Sequence, residues 1–416
     1  MTAADPSPPS SPRAATDPRP APDEVAGTRP AQWVAVAVLT LSTFVVVTSE
    51  MLPVGVLTPM ADGLGISSGA AGSSLTITGS IAAVTAPAVP RLLGNVDRRH
   101  VLAAAMVALA LGNVLTTIST GFGMLVVSRV VLGMGMGIVW GLAAAVAVRL
   151  VAPRHAALAV SFAVSGVASA SVFGVPLGTL IGNAFGWRAA FGTLAAIGCI
   201  LAAALLATLP DLRQPAEAGA GAQGSRASLV TPAVVTGLMV VVFLVTAHFA
   251  AYTYIRPALE HLPKLSADAI ALLLLIYGVF GLAGNFLAGA VAAHRPKATV
   301  LTLAAGIAAA TAALALFGTG ALAAGIAVAL WGVAYGGLSV GGQLWMTRAA
   351  PDRVEHITGV YVGFFTASIA LGALLGGVVV EATGVLTMLW ATAGIAVLSL
   401  VIGLSGKGPA PSSSAG

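Results

Sequence analysis

Trp33-Val-Ala-Val-Ala-Val-Leu-Thr-Leu-Ser-Thr-Phe-Val-Val-Val-Thr-Ser-Glu50-Met-Leu-Pro53-Val-Gly55-Val-Leu-Thr-Pro59 is an apolar run as long as a bilayer core demands of a helix, and one ionisable side chain sits well inside it. A carboxylate at that depth costs at least about 2.5 kcal/mol unless it is paired, neutralised or hydrated. Glu50 is therefore a functional candidate from the outset.

The rest of the chain has the same character. Of 416 residues, 58% are hydrophobic and only 8% charged, with a mean hydropathy of +0.98. Soluble domains carry about 25% charged residues, so the composition describes a polytopic protein whose first partner is the lipid bilayer. The net charge of +5 sits in short loops, where it sets topology, and does not point to nucleic acid. A single cysteine, Cys199, excludes an intrachain disulfide, and metal-ligand spacing is absent. No cofactor is expected. There is no Walker-type phosphate loop, Ser/His/Asp set or His-Glu-x-x-His motif, so neither ATP hydrolysis nor another enzymatic activity is expected. Residues 1–30 are rich in Pro, Ala and Ser and read as a disordered tail with no cleavable signal.

Apolar segments of spanning length lie at about 33–59, 70–92, 100–119, 121–149, 156–183 and 187–209, then at 231–256, 267–293, 297–318, 320–348, 355–380 and 384–405. The expected organisation is a tail (1–30), a six-helix bundle (31–209), a polar linker (210–230), a second bundle (231–405) and a short tail (406–416). With the N-terminus inside, fifteen Lys and Arg fall on the side of the termini and linker, against Arg188, Arg256 and Lys264 on the other. That bias makes both termini cytoplasmic. The halves also match at an offset of 198 to 199: Thr48 with Thr246, Pro59 with Pro257, Gly133 and Gly137 with Gly332 and Gly336, Gly174 and Gly178 with Gly372 and Gly376. The fold expected is all-α, with twelve transmembrane helices in two pseudo-symmetric bundles and a substrate site between them near the midplane.

Three stretches resemble the major facilitator superfamily, and within it the twelve-span drug:proton antiporters of the arabinose/purine-nucleoside efflux-like branch. Thr48-Ser-Glu50-Met-Leu-Pro-Val-Gly55-Val-Leu-Thr-Pro59 resembles the acidic signature of span 1. Arg129-Val-Val-Leu-Gly133-Met-Gly135-Met-Gly137 fits the family's Arg-x-x-x-Gly-x-Gly-x-Gly pattern in span 4. Gly174-Val-Pro176-Leu-Gly178-Thr-Leu-Ile-Gly182-Asn-Ala-Phe-Gly186-Trp187-Arg188 resembles the glycine/proline motif of antiporters in span 5. The resemblance implies proton-coupled export of a small organic molecule by alternating access, with a sugar or nucleoside carrier as the alternative and a non-transporting receptor as a remoter one. It implies a multi-pass protein of the cell membrane, taken as a monomer. The loop after span 2 departs from the family: Pro90, Gly94, Asn95 and Asp97 replace motif residues, and only Arg98 and Arg99 match. A gating relay there rests on Asp97 standing in for the missing acid.

Glu50 lies roughly 13 Å from one end of span 1, and Arg129 roughly 12 Å into span 4 from the same side, at 1.5 Å per residue. An ion pair, or a hydrogen-bonded pair bridged by water, would meet both desolvation penalties, and Glu50 would then load or release a proton as it faced one side or the other; a permanent structural pair or two separate snorkelling side chains is the plainer reading. His248, the repeat-mate of Glu50, is a second proton-coupling candidate; a satisfied hydrogen-bonding histidine is the plainer reading. Arg129's counterpart is Val328. Gly133, Gly137, Gly174 and Gly178 are packing positions, with Pro176 as a kink and gate hinge. Asn113, Trp140, Tyr252, Tyr254, Asn285, Trp331, Tyr335 and Gln343 are candidates to line the cavity, each equally able to face lipid or a neighbouring helix.

Overall fold

The computed structural model describes residues 27–92, 96–213 and 231–408. Most of the expected tails and linker, and Gly94 and Asn95 of the altered loop, lie outside the described residues.

Regular structure among the described residues is helical. The first half holds α1 (Pro30–Leu64), α2 (Ser68–Leu92), α3 (Arg98–Thr117), α4 (Phe122–Leu150), α5 (Ala156–Ser169), a π-helical turn at Ala170–Gly174, α6 (Val175–Phe185) and α7 (Trp187–Thr208). The second holds α8 (Pro232–Tyr252), α9 (Ile255–His261), α10 (Ala267–Ala292), α11 (Pro296–Phe317), α12 (Ala321–Gly336), α13 (Leu338–Ala349), α14 (Val354–Thr383) and α15 (Val385–Ser405). Among the described residues, eleven helical stretches are long and apolar enough to cross a membrane, one fewer than the twelve expected. The missing one is α2, whose Ser, Thr, Gly and Pro content lowers its hydropathy although its 25 residues are long enough.

Local chemistry sets the boundaries. Pro30, Pro232 and Pro296 occupy the first helical position, where a missing N–H costs nothing. Thr231 and Ser266 cap α8 and α10 through their hydroxyls. Pro176 cannot donate to the carbonyl four residues back, and the helix widens into its π-turn just before it.

The repeat read from the glycines and prolines reappears in the packing. A Cβ on Gly133 would meet the Thr78 carbonyl, and one on Gly332 would meet that of Tyr277; all four residues keep the 199 spacing. Gly137 on Ala82 and Gly336 on Gly281 repeat the relation. Gly174 abuts Thr48 as Gly372 abuts Thr246, and Gly178 abuts Leu52 as Gly376 abuts Ala250. These glycines are contact points between helices, as expected. Gly186 (φ 85°) and Gly384 (φ 88°) make the same left-handed turn 198 residues apart. The backbone breaks twice as well. Val56 (φ −119°, ψ 19°) kinks α1, and Tyr254 (φ −108°, ψ 20°) separates α8 from α9, each three residues before a proline.

Contacts between the halves gather on the face away from the termini, called here the far face. Thr76 Oγ1 donates to the Ala370 carbonyl at 2.9 Å, Asn183 reaches Asp268 at 3.5 Å, and Ser67 bonds Glu381. The backbone of α10 at Gly278 lies against Ser171 and Val172. α14 is tightly packed at Gly372, Gly376 and Gly377, whereas a Cβ on Gly359 or Gly363, nearer the termini, would meet nothing within 4 Å.

Candidate functional site

Glu50 is buried on α1 at 4% exposure, and its Oε1 has no hydrogen-bond partner. The expected ion pair with Arg129 does not form: among the described residues, no carboxylate lies within ion-pair distance of the Arg129 guanidinium. The reason lies in the backbone. Pro53 has no N–H, so the carbonyl of Ser49, four residues earlier, loses its helical donor. Arg129 Nη1 supplies one at 3.3 Å. Its Nη2 donates to Thr116 Oγ1 at 3.3 Å, and the guanidinium lies 4.9 Å from the centre of the Phe191 ring. Thr116 in turn donates to Ser128 Oγ at 3.0 Å. Asn113 Nδ2 donates to Ser49 Oγ at 3.0 Å. Asn113 is thus fully buried in this polar cluster of α1, α3 and α4. The arginine holds the turn that carries Glu50 and leaves the carboxyl free.

Across from it, the second half presents aromatic rings around His248. Tyr335 stacks on the imidazole with ring centres 3.5 Å apart and planes 7° from parallel. Tyr252 stacks at 5.1 Å, while Trp331 and Phe249 meet it edge-on at 5.5 and 4.8 Å. Trp331 Nε1 donates to His248 Nδ1 at 3.1 Å. An indole N–H only donates, so Nδ1 carries no proton here, and the ring N–H belongs to Nε2, which faces Tyr277 Oη at 3.4 Å. The repeat-mate of Glu50 is a fully buried, hydrogen-bonded histidine.

Of the eight cavity candidates, Tyr252, Trp331 and Tyr335 come together in this cluster. Tyr254 does not: it is packed between the halves, its hydroxyl donating to the Ala373 carbonyl at 2.9 Å and its ring lying against Gly72 and Gly377. Gln343 donates to Thr358 Oγ1 at 2.7 Å, Asn285 is half-buried, and Trp140 is 38% exposed. Tyr277 was missed, although an aromatic residue inside span 8 met the same criterion as the others. Ser49, Thr116 and Ser128 gave no signal, because hydroxyls in apolar helices commonly bond their own backbone.

In the altered loop, Asp97, Arg98 and Arg99 all make contacts. Asp97 caps α3, accepting from the backbone of Arg99 at 2.9 Å, and faces its own half, where it also accepts from the Leu212 backbone at 3.0 Å. His100 Nδ1 lies 3.2 Å from its other oxygen. Burial works to raise the Asp97 carboxyl, but these two backbone donors and His100 outweigh it and hold the group below its ordinary value. Arg98 turns back to the Val96 carbonyl at 2.8 Å, and Arg99 is half-buried. Arg149 completes a clamp on the start of the linker, donating to the carbonyls of Leu212 and Arg213 at 3.1 and 2.9 Å.

Comparison with known proteins agrees with this architecture. The profile of the Major Facilitator Superfamily matches residues 39–373. The purine ribonucleoside efflux pump NepI of Escherichia coli O1:K1 is 30% identical over 375 residues, covering 90% of this chain and 94% of that protein. NepI of Salmonella paratyphi B is 29% identical over 370 residues, covering 89% and 93%. Among solved structures, a bacterial homolog of the human lysosomal transporter Spinster, inward-facing and occupied, superposes with a TM-score of 0.75 at 16% identity, covering 91% of this chain and 97% of that one. A mutant of the nucleoside transporter NupG superposes with a TM-score of 0.70 at 15% identity, covering 90% and 99%.

Proposed function

Because this chain belongs to the Major Facilitator Superfamily, whose members among its relatives are membrane transporters and not enzymes, we propose that it exports purine-type nucleosides or chemically similar small molecules in exchange for protons. The observation that carries the reading is the pairing of unlike walls. A buried carboxyl with an unpartnered oxygen, Glu50, lies on one half, and a neutral aromatic cluster centred on His248 lies on the other. A flat heterocycle suits the aromatic wall, and a group whose only solvation comes from the pathway is suited to carry a proton across. The first and second halves act as two six-helix bundles, with α2 serving as the twelfth span. The antiport cycle is alternating access between them, in a monomer. By sequence, fifteen Lys and Arg are assigned to the side of the termini, which is read as cytoplasmic. Closure of the far face and the open flank of α14 near Gly359 then correspond to an inward-open state.

The test is proton movement in everted membrane vesicles carrying a pH gradient, challenged with a purine nucleoside, a pentose, a phenicol-type antibiotic and a lipophilic cation. The nucleoside should discharge the gradient with the native protein and fail to do so with Glu50→Gln. Equal discharge by both proteins would remove Glu50 from coupling, and discharge by the pentose alone would favour a sugar carrier.

A further inference from the structure

The kinked end of α1 exposes a second carbonyl. Pro59 lacks the N–H that would serve Gly55, four residues earlier, just as Pro53 deprives Ser49. Both carbonyls are taken by arginines. The first, Arg129, belongs to the same half and makes a contact internal to it. The second is Arg256 of α9, in the other half, whose Nη1 donates to the Gly55 carbonyl at 2.5 Å and to Asn183 Oδ1 at 3.3 Å. Its Nε donates to Glu260 Oε1 at 2.8 Å, and Glu260 Oε2 accepts from Thr58 Oγ1 at 2.5 Å. One guanidinium, 5% exposed, thus ties α9 to α1 and α6 across the boundary between the halves. Its orientation is fixed by an i, i+4 carboxylate that itself grips α1.

We propose that Arg256 is the latch that holds the far face closed, and that Pro59 creates its keeper by leaving the Gly55 carbonyl without a helical partner. This rests on the reading of the chain as an alternating-access carrier. Opening the far face parts α1 from α9, so the Gly55, Asn183 and Thr58 contacts must all break, while the Arg256–Glu260 pair within α9 survives and keeps the arginine from being stranded. The Ser49–Arg129 contact, being internal to one half, persists through the cycle. A charge-assisted hydrogen bond is about twice as strong as a neutral one, so removing this one biases the equilibrium toward opening.

The experiment measures spin-label distances between Asp62→Cys and Thr387→Cys, exposed far-face positions on opposite halves, in a Cys199→Ser background. Arg256→Gln should raise the ratio of long to short distances at least about fivefold at fixed pH. Pro59→Ala, which supplies the Gly55 carbonyl with an N–H and removes no charge, should shift the ratio in the same direction by a smaller factor. It carries the test alone if Arg256→Gln does not reach the membrane. Distance distributions identical to the parent in the variants would overturn the latch. The carrier reading stands or falls separately: it requires the parent's own distribution to respond to pH or to a purine nucleoside, and a parent that never responds overturns that reading whatever Arg256→Gln does.

Discussion

Replacing Arg129 by methionine and Pro53 by alanine, singly and together, separates the two things that the arginine does to α1. Alone, Arg129→Met leaves the Ser49 carbonyl buried without a donor, which costs about 1–3 kcal/mol. It also removes a fully buried cation that, among the described residues, has no carboxylate in ion-pair range, and such a charge carries a desolvation penalty of several kcal/mol. The single variant's stability is a difference between these opposing terms. The double-mutant cycle isolates the carbonyl. In the Pro53→Ala background, the new backbone N–H can close the helical bond to Ser49, so loss of the arginine no longer strands that oxygen. The expected coupling is about 1–2 kcal/mol, the double variant being more stable than the two single effects predict. Unfolding of the four purified proteins in one detergent, followed by tryptophan fluorescence, measures it. Effects that add to within about 0.3 kcal/mol would refute the assignment of Arg129 as the cap of the proline-freed carbonyl.

Two further outcomes are expected. A Cβ on Gly336 would stand less than 2 Å from the backbone carbonyl of Gly281, whereas one on Gly192 meets nothing nearer than 3.8 Å; Gly336→Ala should destabilise by about 1–3 kcal/mol and Gly192→Ala should stabilise by up to about 1 kcal/mol, read from the same unfolding curves. Because Asp97 is held below its ordinary value in the fold, its contribution is fully present above the unfolded carboxylate value of about 3.9 and is lost as pH falls through the lower folded value. Asp97→Asn should therefore lower stability at pH 7 and narrow its gap to the parent below about pH 4, a comparison that thermal melts at the two pH values make.

The helices, the glycine contacts and the internal repeat were legible because they depend on local properties: length, hydropathy, and small residues at fixed spacing. Gly133, Gly137, Gly174 and Gly178 could be placed as packing positions from the chain alone. The partner of Arg129 could not. Depth along two helices put Glu50 and Arg129 at the same level, but depth says nothing of azimuth, and a backbone carbonyl freed by Pro53 competes for the same guanidinium. The cue was present in the i, i+4 relation of Pro53 to Ser49, and again in that of Pro59 to Gly55. Arg256 counted only as a loop charge when topology was read, because its buried role depends on where α9 meets α1, a contact between residues 201 positions apart. The histidine cluster was half-read for a similar reason. Tyr252, Trp331 and Tyr335 come from two separate helices, and only the fold shows that they share one ring-packed centre with Tyr277.

The repeated glycine contacts also separate two kinds of information along the chain. Gly133 and Gly332, or Gly178 and Gly376, do the same job in each half, and at Gly133, Gly332 and Gly376 a Cβ would run into backbone. Between them, equivalent positions have diverged without cost to the frame: Glu50 faces His248 in the repeat, and Arg129 faces Val328. Frame and divergence are thus written in different letters of the same repeated text. An engineer has the diverged positions to rewrite, and the glycines packed against backbone to leave alone.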